Sequence, residues 1–533
     1  MRKRHPEDRL KSAGTRTERG SGEKLRKADV ALAVVLFAAA FALRLPFRSQ
    51  FAYIWDSAEF SLAIGQYNVA LSQPHAPGYF LYVMLGRLVN FLVGNPHASL
   101  VWLSVVCGSG LVMLLYVLGV EMFGRREGLA AALFGMTSPP VWFDSCVALT
   151  YVVDAFLVCV MMVWCWRAMR RGGSWKDTIG MGVLLAIIGG VRQQTIWALV
   201  PLLVFVFWNF EARRFRKFLV ALIVTAVLCA VWMHWMVLMS GGWQSYWSAL
   251  HRIVGYQARK TVAHGGWNAL VWNLFFVGVF CSSGLMLGVL LLAGALVYRA
   301  RVGNTERKRE WDRCHVTAVR LLWLWILPMM LLGTLVGYTE TPGHVFTYLP
   351  GLLLVAAVIA ARLQGRWIYI GTVTAVGVAN VLTFTEGPRD WDRIFVLTGY
   401  TVRQIREHDG ELACMVRAIR AQLRPEDTLV CHAQEYLPLG LRHLQLHLPE
   451  YEQYQFAVDR AMLSPADRPM MRVLGGRLGF VRGPELAGKR VLALIVPPGT
   501  SLDNYTRYVD IRGAKLLPES EGTVYKVPVE AMR

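Results

Sequence analysis

Charged residues are scarce in this chain of 533 residues: Asp, Glu, Lys and Arg make up 17% of it, whereas hydrophobic residues make up 55%. Soluble domains carry roughly 25% charged residues, so the composition argues against an ordinary soluble protein. Its apolar content excludes a disordered chain, since disordered chains are poor in apolar residues. Nine cysteines are too few for a small secreted protein held together by disulfides. Most of the chain is therefore expected to lie in a lipid bilayer.

Motifs that mark several other enzyme classes are absent as well. The sequence has no Gly-rich nucleotide-binding loop, no Cys-x-x-Cys pair and no nucleophile elbow. Acidic residues are outnumbered, with 36 Asp and Glu against 56 Lys and Arg, which gives a net charge of +20. Such an excess is compatible with binding to nucleic acid, with binding to acidic lipid, or with membrane topology. The position of the basic residues decides between these.

A polar, basic N-terminal tail, residues 1–27, precedes a series of apolar runs. No cleavage site of small residues follows the first run, so we expect a cytoplasmic tail and a retained first helix. A helix needs about 20 residues to span the bilayer, and several runs are shorter, which indicates tilted, broken or partly buried helices. The runs cover about residues 28–46, 79–94, 100–121, 128–143, 149–166, 178–191, 195–209, 217–239, 270–298, 316–336, 345–361 and 366–385.

The basic loops determine the predicted topology, because cytoplasmic loops are rich in Lys and Arg. All of them fall on one side if the run 79–94 is an interfacial or re-entrant helix rather than a span. This predicts a polytopic α-helical membrane protein with about eleven spans over residues 28–385. The cytoplasmic side would carry 29 basic and 12 acidic residues, and the outer loops only 7 and 5. The net charge therefore indicates orientation, and no nucleic-acid partner is expected.

Residues 386–533 have an ordinary soluble composition, with 20 basic and 19 acidic residues. They are predicted to form a small α/β domain outside the membrane. A helix is expected over 403–423, strands over 427–431 and 491–496, and a closing edge strand over 524–529. Cys414 and Cys431 both fall in this domain. A disulfide between them and two buried thiols are equally compatible with the sequence.

Two carboxylates, Asp56 and Glu59, follow the first apolar run. Their spacing places both on one face of a helix, and carboxylates at a membrane edge are costly unless they are used or paired. A carboxylate there can act as general base toward an acceptor hydroxyl or amine, or help to hold a divalent cation. The alternative is that Asp56 caps a helix next to the membrane and that Glu59 is solvated.

The first outer loop also carries a family resemblance. Residues 56–60 (Asp-Ser-Ala-Glu-Phe) and 75–79 (His-Ala-Pro-Gly-Tyr) resemble the first outer loop of the GT-C superfamily of membrane glycosyltransferases, in the branch related to protein O-mannosyltransferases. There an acidic motif is followed by a His-Pro-Pro-type turn and an interfacial helix. Ala76 replaces the first proline of that turn, and the two acidic residues are not adjacent. The resemblance implies that three residues shape the loop: His75, Pro77 and Gly78.

Further segments are similar to this family. Asp154, after the Ser-Pro turn at 138–139, is similar to an acidic residue at the top of the next span. Arg192 lies between two short apolar runs, where the family often has a basic or polar residue, and its fork suits a lipid phosphate. His344 and Tyr348 lie in a stretch similar to the last membrane motif and are implied to contact the donor phosphate. Otherwise, Asp154 is a helix-end carboxylate, Arg192 snorkels to the interface and His344 makes a simple polar contact.

The loop 239–269 is rich in aromatic and basic residues. An aromatic belt at the membrane surface explains its Trp and Tyr residues, while Arg259 and Lys260 would attract a phosphate. A divalent cation, if one is used, has three candidate ligands in the outer loops: Glu59, His75 and His264. The Gly-x-Gly at 108–110 lies in an apolar helix and is interpreted as a packing feature.

Taken together, the resemblance implies an inverting glycosyltransferase that moves a sugar from a polyprenyl-phosphate-linked donor to a protein, lipid or glycan acceptor outside the membrane. The expected location is a bacterial plasma membrane; an endoplasmic reticulum membrane is equally compatible with the sequence, although no retention signal is present. Asp56 would be the general base, and Glu59 and Asp154 would orient it or support a cation. Arg192, with His344, would neutralise the phosphate leaving group. The rival hypotheses are a transporter or lipid flippase and a non-catalytic membrane scaffold. Outer charges at the ends of spans, rather than at mid-span, favour the transferase.

Overall fold

Helices build the described residues up to Thr385, and two further α-helices and one sheet follow. The structure is a computed structural model that describes residues 25–258, 260–301, 306–336, 343–363, 365–387, 400–432, 439–456, 470–474, 477–481, 489–497, 499–505 and 511–528. The helices up to residue 208 are α1 (Lys27–Arg44), α2 (Trp55–Gly65), α3 (Phe80–Val93), α4 (Pro96–Met122), α5 (Arg125–Thr137), α6 (Pro139–Asp144), α7 (Tyr151–Arg171), α8 (Trp175–Val191) and α9 (Gln193–Trp208). The later helices are α10 (Arg214–Met239), α11 (Trp243–Ala258), α12 (Val262–Leu285), α13 (Gly288–Arg301), α14 (Glu306–Leu335), α15 (Gly343–Phe346), α16 (Leu349–Ala361), α17 (Arg366–Thr385), α18 (Val402–Gln422) and α19 (Leu441–His447). The strands are β1 (Thr428–His432), β2 (Glu452–Phe456), β3 (Met470–Leu474), β4 (Arg477–Val481), β5 (Val491–Ile495), β6 (Lys515–Leu516) and β7 (Val524–Pro528).

Local sequence signals set several helix ends. The side chain of Asn95 accepts a hydrogen bond from the Ala98 amide, and Pro96 occupies the first turn of α4, where its missing N–H costs nothing. Ser174 and Asp177 form a capping box at the start of α8. These caps satisfy amide groups that would otherwise be unpaired at a membrane surface.

Seven helices among the described residues are long and apolar enough to cross a bilayer, and three shorter apolar helices, α3, α9 and α16, accompany them. The chain is therefore an integral membrane protein of many helices, as predicted. The count of eleven spans and the orientation stay predictions. The seven long helices cover Lys27–Phe47, Pro96–Met122, Tyr151–Arg171, Arg214–Met239, Val262–Leu285, His315–Leu335 and Arg366–Thr385.

Two of the predicted apolar runs are broken in the structure. The run 128–143 divides into α5 and α6 at Ser138, because Pro139 and Pro140 lack amide hydrogens and can only begin a new helix. The run 270–298 divides into α12 and α13 near Met286, which has a φ of 47°. Broken helices place irregular backbone at membrane depth, which proteins use where that backbone lines a site or is buried.

Helices α4 and α7 form the centre of the bundle. α4 contacts α1, α3, α5 and α7, and most of its side chains are buried. α1 and α10 lie at the outside and expose apolar side chains such as Val35 and Ile223. Exposed aliphatic side chains on these helices are expected where lipid is the surrounding solvent.

The residues after 400 form a mixed sheet in the order β4-β3-β2-β1-β5-β7-β6. β1 lies at the centre, parallel to both β2 and β5, and every residue of it is buried. Helices α18 and α19 cover one face, with Leu412 and Leu444 packed over Val430. The predicted helix 403–423 and strands 427–431 and 491–496 correspond to α18, β1 and β5.

One prediction for this domain was wrong. β7 is not the edge strand, because β6 pairs with it on the side away from β5. β6 is only two exposed residues long, so no apolar run announced it. No disulfide joins Cys414 to Cys431: Cys431 is buried in β1, and the Cys414 thiol lies 3.4 Å from Glu521 Oε1.

The sheet domain is docked onto the segment between α1 and α2. Asp409 of α18 accepts hydrogen bonds from the amides of Gln50 (2.9 Å) and Phe51 (3.0 Å). The ring of His408 contacts the Ala52 carbonyl at 2.7 Å. Phe51 also packs against the apolar cluster beneath α18. The C-terminal domain therefore fixes the chain that leads directly into α2.

Candidate active site

Helix α2 carries Asp56 and Glu59 on one face, as their spacing predicts. Asp56 lies in the first turn, where the helix dipole favours a negative charge. The side chain of Asp56 is 32% exposed, whereas that of Glu59 is 2% exposed. The two carboxylates thus have different surroundings: one is open to a ligand, and the other is enclosed by protein.

His75 returns from the following loop to meet Glu59. Its ring Nδ1 lies 2.6 Å from Glu59 Oε2, and its backbone amide donates to the same oxygen at 3.1 Å. Asp56 Oδ1 lies 3.9 Å from the same ring nitrogen. The other oxygen of Glu59 accepts a hydrogen bond from the Trp55 indole at 2.8 Å. Among the described residues, Asp56, Glu59 and His75 form the group whose ligand atoms lie within 4.8 Å of one another.

Two carboxylates, Asp56 and Glu59, make the surroundings of His75 negative. Burial lowers the pKa of His75, but Asp56, Tyr79 and Glu59 raise it by more, so the pKa lies well above the ordinary 6.5. Burial raises the pKa of Asp56 above 3.8; His75 and Arg192 act in the opposite direction. Two carboxylates and an imidazole are a donor set that suits zinc or a similar divalent cation.

The turn after His75 is held from several directions. The Pro77 carbonyl accepts hydrogen bonds from Gln193 Nε2 (3.1 Å) and the Tyr246 hydroxyl (3.3 Å). Gly78 has a φ of +115°, and a Cβ there would lie 2.6 Å from the sulfur of Met236. Glycine is therefore required at position 78 for both conformation and space, and Pro77 and Gly78 shape the loop directly ahead of α3.

Arg192 occupies the break between α8 and α9, with extended backbone. Its side chain is buried, Nη1 donates to the Gly343 carbonyl at 2.5 Å, and its guanidinium lies 5.1 Å from the centre of the Tyr151 ring. The Gln194 amide, with its oxygen turned toward Arg192, accepts from Nη2 at 2.8 Å and from Nε at 3.1 Å. These contacts hold the guanidinium in one place. It lies near the carboxylate cluster, because its positive charge opposes the rise in the pKa of Asp56 that burial causes.

Asp154 is completely buried at the start of α7. Its Oδ2 accepts hydrogen bonds from the hydroxyls of Thr195 (3.1 Å) and Thr347 (2.8 Å). These contacts join α7 to α9 and to the segment after α15. The carboxylate thus lies among the elements that hold Arg192.

The segment 343–348 passes close to Arg192. A Cβ on Gly343 would lie 2.6 Å from Arg192 Nη1, so only glycine allows this approach. Burial and the nearby positive charge of Arg192 lower the pKa of His344 to about 3, so this ring is neutral. Tyr348 is fully buried, and its hydroxyl lies 3.8 Å from the sulfur of Cys281.

The basic loop residues predicted to attract phosphate are less well placed. Arg259 lies outside the described residues. Lys260 is partly buried in the turn between α11 and α12, where its amide donates to the Gln257 carbonyl at 3.0 Å. His264 contacts the Thr261 hydroxyl at 3.2 Å and is not part of the group around Glu59.

One residue near the cluster has no counterpart in the sequence-based prediction. Arg442, on α19 of the C-terminal domain, is fully buried, and its Nε lies 3.9 Å from Glu59 Oε1. Nearly 400 positions separate these residues, and no motif in the sequence relates them. Only the docking of α19 against α2 brings them together.

The fold and one segment of the sequence match known proteins. Residues 75–236 match the family described as dolichyl-phosphate-mannose-protein mannosyltransferase. No curated protein matches the chain in sequence. The solved structure of ArnT from Cupriavidus metallidurans bound to undecaprenyl phosphate is similar with a TM-score of 0.56 and 13% identity, over 95% of this chain and 98% of that one.

Two further structures are similar. The apo state of the same ArnT has a TM-score of 0.54 and 13% identity, over 94% of this chain and 97% of that one. The Archaeoglobus fulgidus oligosaccharyltransferase complex with Zn and sulfate has a TM-score of 0.45 and 12% identity, over 86% of this chain and 68% of that one. The family match and the ArnT similarity confirm the resemblance found in the first loop: this chain has the GT-C fold of membrane glycosyltransferases, with residues 75–236 matching the protein mannosyltransferase family.

Proposed function

We propose that this protein is a GT-C glycosyltransferase that moves a sugar from a polyprenyl-phosphate-linked donor to an acceptor on the outer side of the plasma membrane. The observation that carries the proposal is the meeting of Asp56, Glu59 and His75 on a GT-C scaffold, with Arg192 held close by. A donor of this class is supported by the undecaprenyl phosphate bound to the similar ArnT structure. The acceptor class, protein, lipid or glycan, is left to experiment.

The proposed reaction is a single inverting displacement. The acceptor oxygen or nitrogen forms a bond to the anomeric carbon as the bond from that carbon to the phosphate oxygen breaks. The electron pair of the broken bond leaves with the polyprenyl phosphate, and the acceptor proton passes to the carboxylate of Asp56. Asp56 suits this role because its side chain is partly open, and a raised pKa makes its carboxylate a stronger base.

A divalent cation fits the same cluster. Glu59 and His75 would hold it, being the closest pair and the more enclosed, and Asp56 would lie beside it. When bound, such a cation would supply positive charge against the departing phosphate. His75 must lose a proton to bind it, so cation affinity is expected to rise with pH through the raised pKa of His75.

Arg192 is proposed to bind the donor phosphate and to stabilise the charge that develops on it. Its hydrogen bonds to Gly343 and Gln194 fix the guanidinium before the donor arrives, so no reorganisation is needed during transfer. His344 is neutral and can therefore contribute a hydrogen bond but no charge. Asp154 would position this group through its two threonine partners.

The test is an Asp56→Asn variant assayed in membranes or nanodiscs with labelled lipid-linked sugars. Removal of a general base is expected to lower kcat by about 10²–10⁴-fold, with binding of the lipid donor retained. Glu407→Gln on the exposed surface of α18 is the control, because Glu407 is 58% exposed and pairs with Arg403 of the same helix. Transfer by Asp56→Asn at the wild-type rate would refute the base assignment.

The rival hypotheses have their own outcomes in the same experiment. A wild-type protein that transfers no sugar from several lipid donors, but moves the lipid across vesicle membranes, would be a flippase or transporter. A wild-type protein that does neither would be a scaffold. Either result would overturn the proposed function.

A further inference from the structure

Arg442 is a charged side chain of the C-terminal domain that is buried against the first outer loop. It lies in the first turn of α19, and the helix packs against α2. A guanidinium buried to this extent is costly unless its charge and its N–H groups are matched. The buried positive charge of Arg442 therefore needs partners on α2 or the loop next to it.

Its partners come from both walls of the loop that carries the cluster. Nη2 donates to the carbonyl of Leu71, in the segment that leads to His75, and Nε lies 3.9 Å from Glu59 on α2. Nη1 donates to Gln445 Oε1 at 2.6 Å, which anchors the guanidinium to its own helix. Burial lowers the pKa of Arg442 and the charge of Glu59 raises it. One side chain thus joins α19, α2 and the returning loop.

Glu59 receives contacts on both of its oxygens. Oε1 faces the Trp55 indole and Arg442, and Oε2 faces the amide and the ring of His75. The first pair of contacts fixes the carboxylate on one side, so that its other oxygen points at His75. A fixed carboxylate of this kind is what a group that orients a ligand or a metal requires.

We propose that Arg442 is a positioning residue for the transfer reaction: through it, the C-terminal domain holds Glu59 against His75 and completes the cluster beside Asp56. The inference rests on the proposed function, and it assigns the C-terminal domain a part in the active site in addition to any contact with the acceptor. Lysine at this position would keep the charge but lose the planar fork that reaches Glu59, Leu71 and Gln445 together.

The experiment compares Arg442→Met, Arg442→Lys and Arg420→Met in the full-length protein in nanodiscs. Arg420 is the matched control, because it also belongs to the C-terminal domain and pairs with a carboxylate, Glu450, at 2.6 Å, but on the exposed surface. Loss of a residue that orients a ligand group typically costs about 10–100-fold. We expect that loss in kcat for Arg442→Met, with KM for the lipid donor unchanged, partial recovery in Arg442→Lys, and wild-type rates in Arg420→Met.

A double-mutant cycle separates positioning from a purely structural role. If Arg442 acts through Glu59, then Arg442→Met should cost little more in a Glu59→Gln background, since the two losses are not additive for coupled residues. Full additivity, or equal rates for Arg442→Met and Arg420→Met, would overturn the inference. Elution profile and thermal unfolding are recorded for each variant, and Arg442→Lys carries the test if Arg442→Met does not fold.

Binding of Co²⁺ gives a readout that does not need transfer. If Arg442 positions Glu59, Arg442→Met should weaken Co²⁺ binding by about 10–100-fold. If Arg442 only repels the cation through its positive charge, the same variant should bind Co²⁺ more tightly. Unchanged or tighter binding would contradict the proposal. A wild type that transfers no sugar would instead refute the proposed function, and the Co²⁺ result would still report on Arg442 and Glu59.

Discussion

Buried carboxylates at the two ends of the helix bundle have different partners. At the end where α1 begins, three buried acidic side chains each pair with an arginine. Asp29 accepts from Arg125 at 2.8 and 2.7 Å, and Glu121 accepts from Arg167 at distances of 2.7–3.1 Å. Asp177 accepts a single hydrogen bond from Arg171 at 2.7 Å, and its other oxygen accepts from the Ser174 hydroxyl at 2.8 Å. These pairs join α1, α4, α5, α7 and α8 where the connecting loops are basic.

At the other end, the two carboxylates of α2 face each other and a histidine, and Asp154 faces two threonine hydroxyls. Asp56, Glu59 and His75 lie together, and the nearest guanidinium to Glu59, that of Arg442, stands 3.9 Å away. Arg192 at this end donates its N–H groups to the Gly343 carbonyl and the Gln194 amide oxygen rather than to a carboxylate. Charge is thus balanced pair by pair at one end, whereas at the other end two carboxylates share one histidine, at 2.6 and 3.9 Å, and Arg192 bonds to uncharged groups. We call the charges in this second arrangement separated.

The difference separates structure from function. Arginine–carboxylate forks satisfy both partners and leave nothing for a ligand. Separated charges at a membrane edge are costly and are kept where a ligand completes them. The end with separated charges should therefore govern transfer, and the end with matched pairs should govern stability.

The largest expected effect tests this division directly. Arg192→Gln removes the guanidinium proposed to stabilise the phosphate and should lower kcat by about 10²–10³-fold, as loss of a preorganised donor does. Arg167→Gln at the opposite end removes the guanidinium that pairs with Glu121 but should leave kcat close to wild type. The measurement is transfer of labelled sugar per folded molecule. Equal losses in the two variants would remove the functional distinction between the ends.

An intermediate effect is expected from Asp29→Asn, which breaks the matched pair with Arg125. Hydrogen bonds to charged groups contribute about 1.5–3 kcal/mol each, and part of this is recovered because Arg125 remains partly exposed, so we expect a loss of about 1–3 kcal/mol. Thermal unfolding in detergent would show the loss, while kcat measured well below the unfolding temperature should not change. A large loss of kcat without a loss of stability would contradict the comparison.

The smallest effect on stability per side chain is expected in acid. Burial lowers the pKa of His408 to about 4 and that of His447 to about 3. Because these folded-state values lie below the ordinary 6.5, stability is lost as pH falls below 6.5, by at most about 2 kcal/mol for each histidine at pH 5. Asp409, whose pKa burial raises to about 6, acts with the opposite sign and offsets part of this loss.

Thermal unfolding followed from pH 7 to pH 5 checks the acid effect. The contact between the C-terminal domain and residues 50–55 should loosen first, because His408 and His447 lie at this contact and must take up a proton there as the pH falls. His408→Gln and His447→Gln should each flatten the pH dependence. An unchanged slope in both variants would show that these histidines are not its source.

Much of the membrane region could be predicted from residue pattern. The long apolar runs predicted many membrane helices, and seven helices of the described residues are long and apolar enough to span a bilayer. The spacing of Asp56 and Glu59 placed both on one face of α2. The His75 turn was located by resemblance, and the structure brings its ring to Glu59. His264 was grouped with that pair on residue type alone, and the structure places it elsewhere, because residue type carries no information about distance.

Contacts between distant segments and the short strand β6 were harder to predict. Tyr348 lies next to Cys281 on another span, and β6 was missed because two exposed residues make no apolar pattern. Arg442 was not predicted at all, since its contact with Glu59 depends on how a soluble domain docks onto a membrane loop. Such contacts arise from packing between distant segments.

The sequence by itself determined that the chain is a membrane protein, because scarcity of charge and long apolar runs leave no other solvent for it. It also placed the acidic residues at the end of the first span, through local helix periodicity. Only the tertiary structure decided which charges meet. Matched forks at one end and a separated cluster at the other result from the packing of helices far apart in sequence, and it is this packing that leaves Asp56 open, encloses Glu59 and brings Arg442 to it.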